Sequence, residues 1–159
     1  MSINCKDLRE LVVRPTLQHL RLWSPAAEDM VLGTAAQESG LGTYLHQVGG
    51  PALGIYQMEP ATHNDIWNNY LEYKPILRKQ VEDMLGTSVH DIDSDDNSLI
   101  GNLYYATAMC RIHYLRVPEA MPVHKDTKGY AAYWKKYYNT PLGAGTEQEF
   151  IDNYKRYVK

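Results

Sequence analysis

The segment from Ser24 to Gly42 constrains the fold more than any other part of the chain. Ser24 followed by Pro25 is a typical helix start, because a serine side chain caps the first free N–H groups and proline fits the first turn. Gly40 and Gly42 are expected to stop this helix just after Ser39. The sequence therefore predicts a helix from Pro25 to about Ser39, followed by a glycine-rich loop.

Apolar residues recur at helical spacing along most of the remaining chain, whereas the alternation typical of strands is weak. Before Ser24, an apolar helix face leads to Pro15, which either starts a new helix or kinks the old one. Further helices are predicted to begin at Pro60 and at Pro75, and the second of these ends at Gly86. Two more are predicted over about 97–116 and about 127–138. A last helix follows a capping box of Thr146 and Glu149. The predicted class is mainly α, with at most a small β-hairpin in 43–57.

The composition narrows the range of partners. Lys and Arg number 16 against 19 Asp and Glu, and the formal net charge of -3 gives no electrostatic case for nucleic acid. No apolar run approaches the roughly 18 residues of a membrane span, and the early charges of the N-terminus are unlike a secretory signal. We therefore expect a single domain over 1–159, made in the cytoplasm and not inserted in a membrane.

The sequence motifs predict neither a metal nor a cofactor. The six histidines lack a zinc-binding spacing, and two cysteines do not make a disulfide framework. Residues 87–96 are predicted to be a polar, acidic loop whose part from Asp91 to Asp96 begins like a calcium loop. However, Asp96 stands where such a loop needs glycine, and Asn102 stands where it needs glutamate. We interpret the segment as an acidic cap for the 97–116 helix.

Glu38 is the candidate catalytic residue. At about 100° per residue, Ala27, Val31 and Thr34 fall within about 40° of it, so its carboxylate is expected on the apolar face of the helix. The dipole at a helix C-terminal end disfavours negative charge, and partial burial raises a carboxyl pKa. A carboxylic acid that stays protonated near neutral pH suits glycosidic bond cleavage, because the leaving oxygen must receive a proton. Taken alone, the same residue also fits a solvated side chain at a fraying helix end.

Four short elements accompany this glutamate. They are Glu38-Ser39 at the helix end, the run 54–62 (Gly-Ile-Tyr-Gln-Met-Glu-Pro-Ala-Thr) after a glycine-rich loop, the spaced set Asn97, Gly101 and Tyr104, and either Ala132-Tyr133-Trp134 or Tyr138-Asn139. Together, over residues 24–145, they resemble the lytic transglycosylase family of the lysozyme-like superfamily. The short chain and its ending are similar to phage-encoded members. The resemblance implies a lysozyme-like helical fold.

The resemblance also implies an activity. Members of this family cut the MurNAc–GlcNAc β-1,4 bond of peptidoglycan. One Glu protonates the leaving oxygen and then takes a proton from the MurNAc C6 hydroxyl, which closes a 1,6-anhydro ring without water, metal or cofactor. By resemblance, Glu38 has that role. The residues expected to bind substrate are Ser39, Tyr56, Gln57, Glu59, Tyr104 and Tyr133, with Tyr137 and Tyr138 as other candidates for the active-site tyrosine.

Two departures from the family pattern leave the reaction type open. Glu59 stands where the family usually has methionine, and the loop before it lacks a serine that is often present; His46, Gln47 and Val48 lie there instead. A second carboxylate could hold a water and make the enzyme a hydrolase. Alternatively, Glu59 is a solvated charge that suits the dipole of the following helix.

The expected partner is the glycan strand of peptidoglycan. Without a signal peptide, the protein would act either as an endolysin released from the host cytoplasm or as a virion component beside other virion proteins. A catalytically silent wall-binding or virion-structural module on the same fold is a further interpretation. Retention of Glu38 with the Gln57 segment favours the enzyme, since a structural module needs no Glu on an apolar face.

Overall fold

The computed structural model describes the backbone of residues 1–85 and 92–158 and the side chains of residues 1–85 and 96–158. Within these ranges the protein is mainly helical, as the sequence predicts, and eight helices follow one another. They are α1 (the abutting segments Cys5–Asp7, Leu8–Val13 and Arg14–His19), α2 (Pro25–Ser39), α3 (Pro60–Asn69), α4 (Pro75–Leu85), α5 (Ile92–Gly101), α6 (Leu103–Leu115), α7 (Thr127–Trp134) and α8 (Glu147–Tyr157).

Local signals place several helix ends where the sequence predicts them. The Ser24 hydroxyl accepts a hydrogen bond from the N–H of Ala27 at 3.0 Å and starts α2. Gly40, with a left-handed φ of 58°, ends that helix. The capping box of Thr146 and Glu149 opens α8 as predicted. Short-range capping chemistry therefore decides these boundaries.

Pro15 neither starts nor interrupts α1. The segment Leu8–Val13 just before it is a π-helical turn, wider than the α-helix on either side. Proline has no N–H to donate and crowds the preceding turn, so a locally widened helix accommodates it. The structure thus has neither of the two predicted alternatives in simple form, because the helix continues through Pro15 with a changed pitch.

The prediction of one helix over 97–116 is wrong. The backbone breaks at Asn102, whose side-chain oxygen accepts from the N–H of Tyr105 at 3.0 Å and whose amide donates to the carbonyl of Met84 at 2.9 Å. The Asn102 side chain caps α6 while it ties α6 to α4. Residues 92–96, expected in a loop, belong to α5, whereas residues 86–91, including Asp91 of the calcium-like segment, lie outside the described residues.

The segment 43–57 forms no strand, although the sequence allowed a small hairpin there. It contains two isolated antiparallel bridges, His46 with Leu53 and Leu53 with Met58. Left-handed backbone conformations at Gly49, Gly54 and Gln57 interrupt the extended chain that strands require. The predicted helix over 127–138 similarly divides into α7 and a π-helical turn, Lys135–Asn139.

Helix α6 is the central element of the fold. Its Ala106, Cys110 and Tyr114 belong to the larger buried cluster, which gathers residues from α1, α2, α7 and α8. Its Met109 and Ile112 belong to a second cluster, built with α3 and α4. Because opposite faces of α6 are buried in different clusters, this helix separates and supports both cores. No helix in the described ranges is long and apolar enough to cross a membrane.

Gly54 holds the loop against α5. Its N–H donates to the carbonyl of Leu45 at 2.7 Å, and its φ is 80°. A Cβ at this position would overlap the backbone carbonyl of Leu99, which cannot move as a side chain can. Only glycine permits both the left-handed conformation and the close approach of the two backbones.

We expect Gly54→Ala to lower the free energy of unfolding by at least about 3 kcal/mol, since strain and overlap add. Gly49→Ala is the matched control, because Gly49 has a φ of 74° but open space around its Cβ position. Only the conformational cost of about 1 kcal/mol applies there. Urea unfolding of both variants measures the difference, and equal losses would contradict the close approach at Leu99.

Candidate active site

A cavity of about 410 Å³ opens between the end of α2, the loop before α3, helix α6 and the turn after α7. This volume lies within the usual range of ligand sites. The residues around it combine two carboxylates with amide and hydroxyl side chains. They are Glu38, Gln47, Ala52, Gln57, Met58, Glu59, Thr62, His113, Tyr138, Asn139 and Thr140.

Glu38 is in the last turn of α2 and lines the cavity. Burial raises the pKa of its carboxyl to about 7, although the indole N–H of Trp134, which donates to Oε1 at 3.4 Å, partly opposes that rise. Removing a carboxylate from water disfavours its charged form. At pH 7 about half of the molecules therefore carry a proton on Glu38, which can both give and accept a proton.

Two hydroxyl groups hold the buried loop beside Glu38. The Ser39 hydroxyl donates to the carbonyl of Ile55 at 2.6 Å and accepts from the N–H of Gly42 at 2.9 Å. The Tyr138 hydroxyl donates to the carbonyl of Tyr56, also at 2.6 Å. Ser39 and Tyr56 do not line the cavity, so both support the loop from behind rather than face a ligand there.

Gln57 and Glu59 project from this loop into the cavity lining. Gln57 has a φ of 48°, and its side-chain amide donates to the carbonyl of Gly54 at 2.9 Å. Glu59 directly precedes α3 and is exposed, and it makes no capping hydrogen bond to that helix. The structure thus brings Glu38, Gln57 and Glu59 together around one cavity, as the motif spacing suggested.

The structure places a different tyrosine in the cavity lining from the one that the sequence favoured. Tyr133, the first candidate, is buried and donates its hydroxyl to the carbonyl of Glu119, away from the cavity. Tyr137 contributes its carbonyl to a hydrogen bond with His113. Tyr138 is the tyrosine that lines the cavity, and burial holds the pKa of its hydroxyl well above the usual value.

Tyr104 lies elsewhere on the molecule. It is half-exposed and lines a second cavity of about 460 Å³ with residues of α1 and α4. Its neighbour Tyr105 points inward, where its hydroxyl accepts from the indole N–H of Trp67 at 2.8 Å. The break at Asn102 sets which side of α6 each tyrosine occupies, so Tyr104 is not brought to Glu38.

His113 is a cavity residue that the sequence did not single out. Its Nε2–H donates to the carbonyl of Tyr137 at 2.9 Å, and its ring packs on Tyr138 with centroids 4.6 Å apart. Burial lowers the pKa of His113 to about 4, so the ring is neutral at pH 7. The available signal was a titratable side chain between the apolar residues Ile112 and Tyr114.

Metal binding finds no support in the described part of the chain. Among the side chains of residues 1–85 and 96–158, no group of three His, Cys, Asp or Glu could hold an ion. Asp96, from the calcium-like segment, instead accepts from His63 Nδ1 at 2.7 Å.

Comparisons of the chain with protein-family models, with curated proteins and with solved structures gave no match in any of the three. Any functional conclusion accordingly depends on the residues of the site themselves.

The raised pKa of Glu38 predicts how stability depends on pH. Below the ordinary value of 4.5 the proton is bound in folded and unfolded chains alike. Between 4.5 and about 7 only the folded protein keeps it, so this contribution is fully present below 4.5 and is lost as pH rises to about 7. We expect the unfolding free energy of the wild type to fall relative to Glu38→Gln by about 3 kcal/mol over this interval.

Urea unfolding of both proteins at a series of pH values measures this difference. The buried, neutral His113 is present in both proteins, so its own contribution cancels in the comparison. Glu10→Gln, at an exposed position of α1, is the matched control for removing one carboxylate. A difference between wild type and Glu38→Gln that stays constant with pH would contradict the raised pKa.

Proposed function

We propose that the protein is a peptidoglycan lytic transglycosylase of lysozyme-like fold that cleaves the MurNAc–GlcNAc β-1,4 bond. The observation that carries the proposal is a carboxyl group with a pKa of about 7 in a cavity that Gln57 also lines. A general acid that must also act as a base works best when its pKa is near the working pH. Glu38 meets that requirement.

In the proposed reaction Glu38 acts twice. Its protonated carboxyl first gives a proton to the glycosidic oxygen as the bond to MurNAc C1 breaks. Its carboxylate then takes the proton of the MurNAc C6 hydroxyl, whose oxygen bonds to C1 and closes the 1,6-anhydro ring. Glu38 ends the cycle protonated, and neither water nor a cofactor is consumed.

Other cavity residues would hold the sugar. The amides of Gln57 and Asn139 offer donors and acceptors to hydroxyl and acetamido groups, and the Tyr138 ring forms a wall. The indole N–H of Trp134 donates to Oε1 of Glu38, and this hydrogen bond restricts the orientation of the Glu38 carboxyl group. In this arrangement the neighbouring residues bind the sugar, and Glu38 is the group that gives and accepts a proton at pH 7.

The motif resemblance supports this proposal independently of the pKa. Glu38-Ser39 and the 54–62 run are separate in sequence, and the hydrogen bond from Ser39 to the Ile55 carbonyl joins them. The resemblance also carries the proposal of a phage origin, in which the protein is an endolysin or a virion-borne wall-penetrating protein.

A hydrolytic muramidase is the second candidate, because Glu59 lines the same cavity as Glu38. In that mechanism Glu59 would hold a water that attacks the sugar, and the product would keep a reducing end. Mass spectrometry of the muropeptides separates the two reactions: anhydro-MurNAc ends indicate transfer, and reducing MurNAc ends indicate hydrolysis.

Glu38→Gln is expected to abolish lysis of exposed peptidoglycan, with a rate loss of at least about 1,000-fold, because the amide cannot transfer the proton. A turbidity assay measures the rate. The Glu10→Gln variant should keep full activity, since that residue lies outside the cavity lining. Full activity of Glu38→Gln would refute the assignment, and glycan binding without lysis by the wild type would indicate the silent wall-binding module.

The rate should also depend on pH in a defined direction. Above about pH 7 the fraction of free enzyme with Glu38 protonated falls tenfold per unit. We therefore expect kcat/KM to decline with that slope on the alkaline side when a soluble glycan strand is the substrate. A plateau extending past pH 9 would mean that another group supplies the proton.

A further inference from the structure

The cavity around Glu38 has an acidic lining. Among the described residues it includes the carboxyl groups of Glu38 and Glu59, and no lysine or arginine. The remaining polar groups are neutral amides and hydroxyls. A ligand in this cavity therefore meets a field that favours positive groups and disfavours negative ones.

His113 does not change that sign. Its Nε2–H is committed to the Tyr137 carbonyl, and its Nδ1 has no hydrogen-bond partner among the described residues, which is the state of a neutral ring. Burial keeps the pKa of this histidine at about 4. The cavity residue that could have balanced the acidic lining is uncharged at pH 7.

Two cationic side chains near the cavity make their hydrogen bonds or ion pairs elsewhere, and Lys135 keeps its charge because both of its acceptors are neutral. The Lys135 ammonium donates to the side-chain oxygen of Asn139 at 2.6 Å and to the carbonyl of Gly143 at 2.8 Å, and it lies outside the lining. Arg116 pairs with Asp65. Neither side chain neutralises Glu59, which forms no ion pair with the rest of the described chain.

Glu59 presents its carboxyl group at the edge of the cavity. Its side chain is exposed, and the residue directly precedes α3, a helix of 10 residues whose N-terminal dipole favours a negative charge. It makes no hydrogen bond to the first N–H groups of that helix, so the carboxylate is available at the edge of the cavity.

We propose that Glu59 is a specificity-determining residue, which makes the cavity accept uncharged or cationic saccharide units and reject units that carry a carboxylate. The inference rests on the proposed function. For peptidoglycan it means that a MurNAc unit binds with its lactyl group in amide linkage to a peptide, and that a MurNAc unit with a free lactyl carboxylate binds weakly.

Three β-1,4-linked tetrasaccharides test the proposal. The N-acetylglucosamine tetramer is neutral, the glucosamine tetramer is cationic, and the alternating N-acetylglucosamine–N-acetylmuramic acid tetramer without peptides is anionic. Binding is measured by calorimetry at low ionic strength to full-length Glu38→Gln, which removes turnover. The same titrations are made with Glu38→Gln carrying Glu59→Gln, and with Glu38→Gln carrying Glu10→Gln as the matched control.

The expected order of affinity is cationic, then neutral, then anionic. Glu59→Gln should strengthen binding of the anionic tetramer and weaken binding of the cationic one by about fivefold to tenfold each, while the neutral tetramer and the Glu10→Gln control change little. Raising the salt concentration should compress the same differences. Thermal unfolding checks that each variant is folded.

The outcomes separate the specificity from the proposed function. If the neutral tetramer binds and the anionic one binds equally well at low salt, or if Glu59→Gln leaves the order unchanged, the specificity proposal is overturned and the proposed function stands. If Glu38→Gln binds none of the three tetramers but sediments with intact peptidoglycan, the specificity proposal is likewise overturned. If it binds neither the tetramers nor peptidoglycan, the proposed function itself is overturned, and the specificity with it.

Discussion

The site depends on how the buried part of a loop, residues 54–56, satisfies its backbone carbonyls. The loop between α2 and α3 has only isolated bridges, so neighbouring strands do not provide donors. The hydroxyls of Ser39 and Tyr138 fill that need at the carbonyls of Ile55 and Tyr56. An unpaired buried carbonyl costs about 1–3 kcal/mol, so both contacts are strongly favoured. Because one donor ends α2 and the other follows α7, the loop is fixed from two sides.

Helix α6 gives this arrangement a rigid support. It is buried against both cores and brings His113 to the floor of the cavity, where the ring packs on Tyr138. The same surroundings remove water from Glu38 and raise its pKa. Packing and acid strength therefore have one origin: the apolar volume that stabilises the fold also changes the chemistry of the carboxyl group.

Sequence patterns predicted those features that short-range physics decides. The caps at Ser24 and Thr146 and the inward position of Glu38 follow from residues within a few turns of one another. The break at Asn102 was missed because its amide bonds the distant Met84 carbonyl. The choice of Tyr138 over Tyr133 was missed because a π-helical turn alters which side of the chain each residue faces.

The indole of Trp134 and the carboxylate of Glu38 are 96 residues apart in the chain. This separation matters for when the site forms during synthesis and folding. As the ribosome releases the polypeptide, α2 emerges long before the segment that covers it. Until that segment arrives, Glu38 is surrounded by water and is an ordinary carboxylic acid. Its unusual affinity for a proton is thus acquired late, when contacts of high sequence separation close. A nascent or truncated chain would hold every atom of this glutamate and none of its special reactivity.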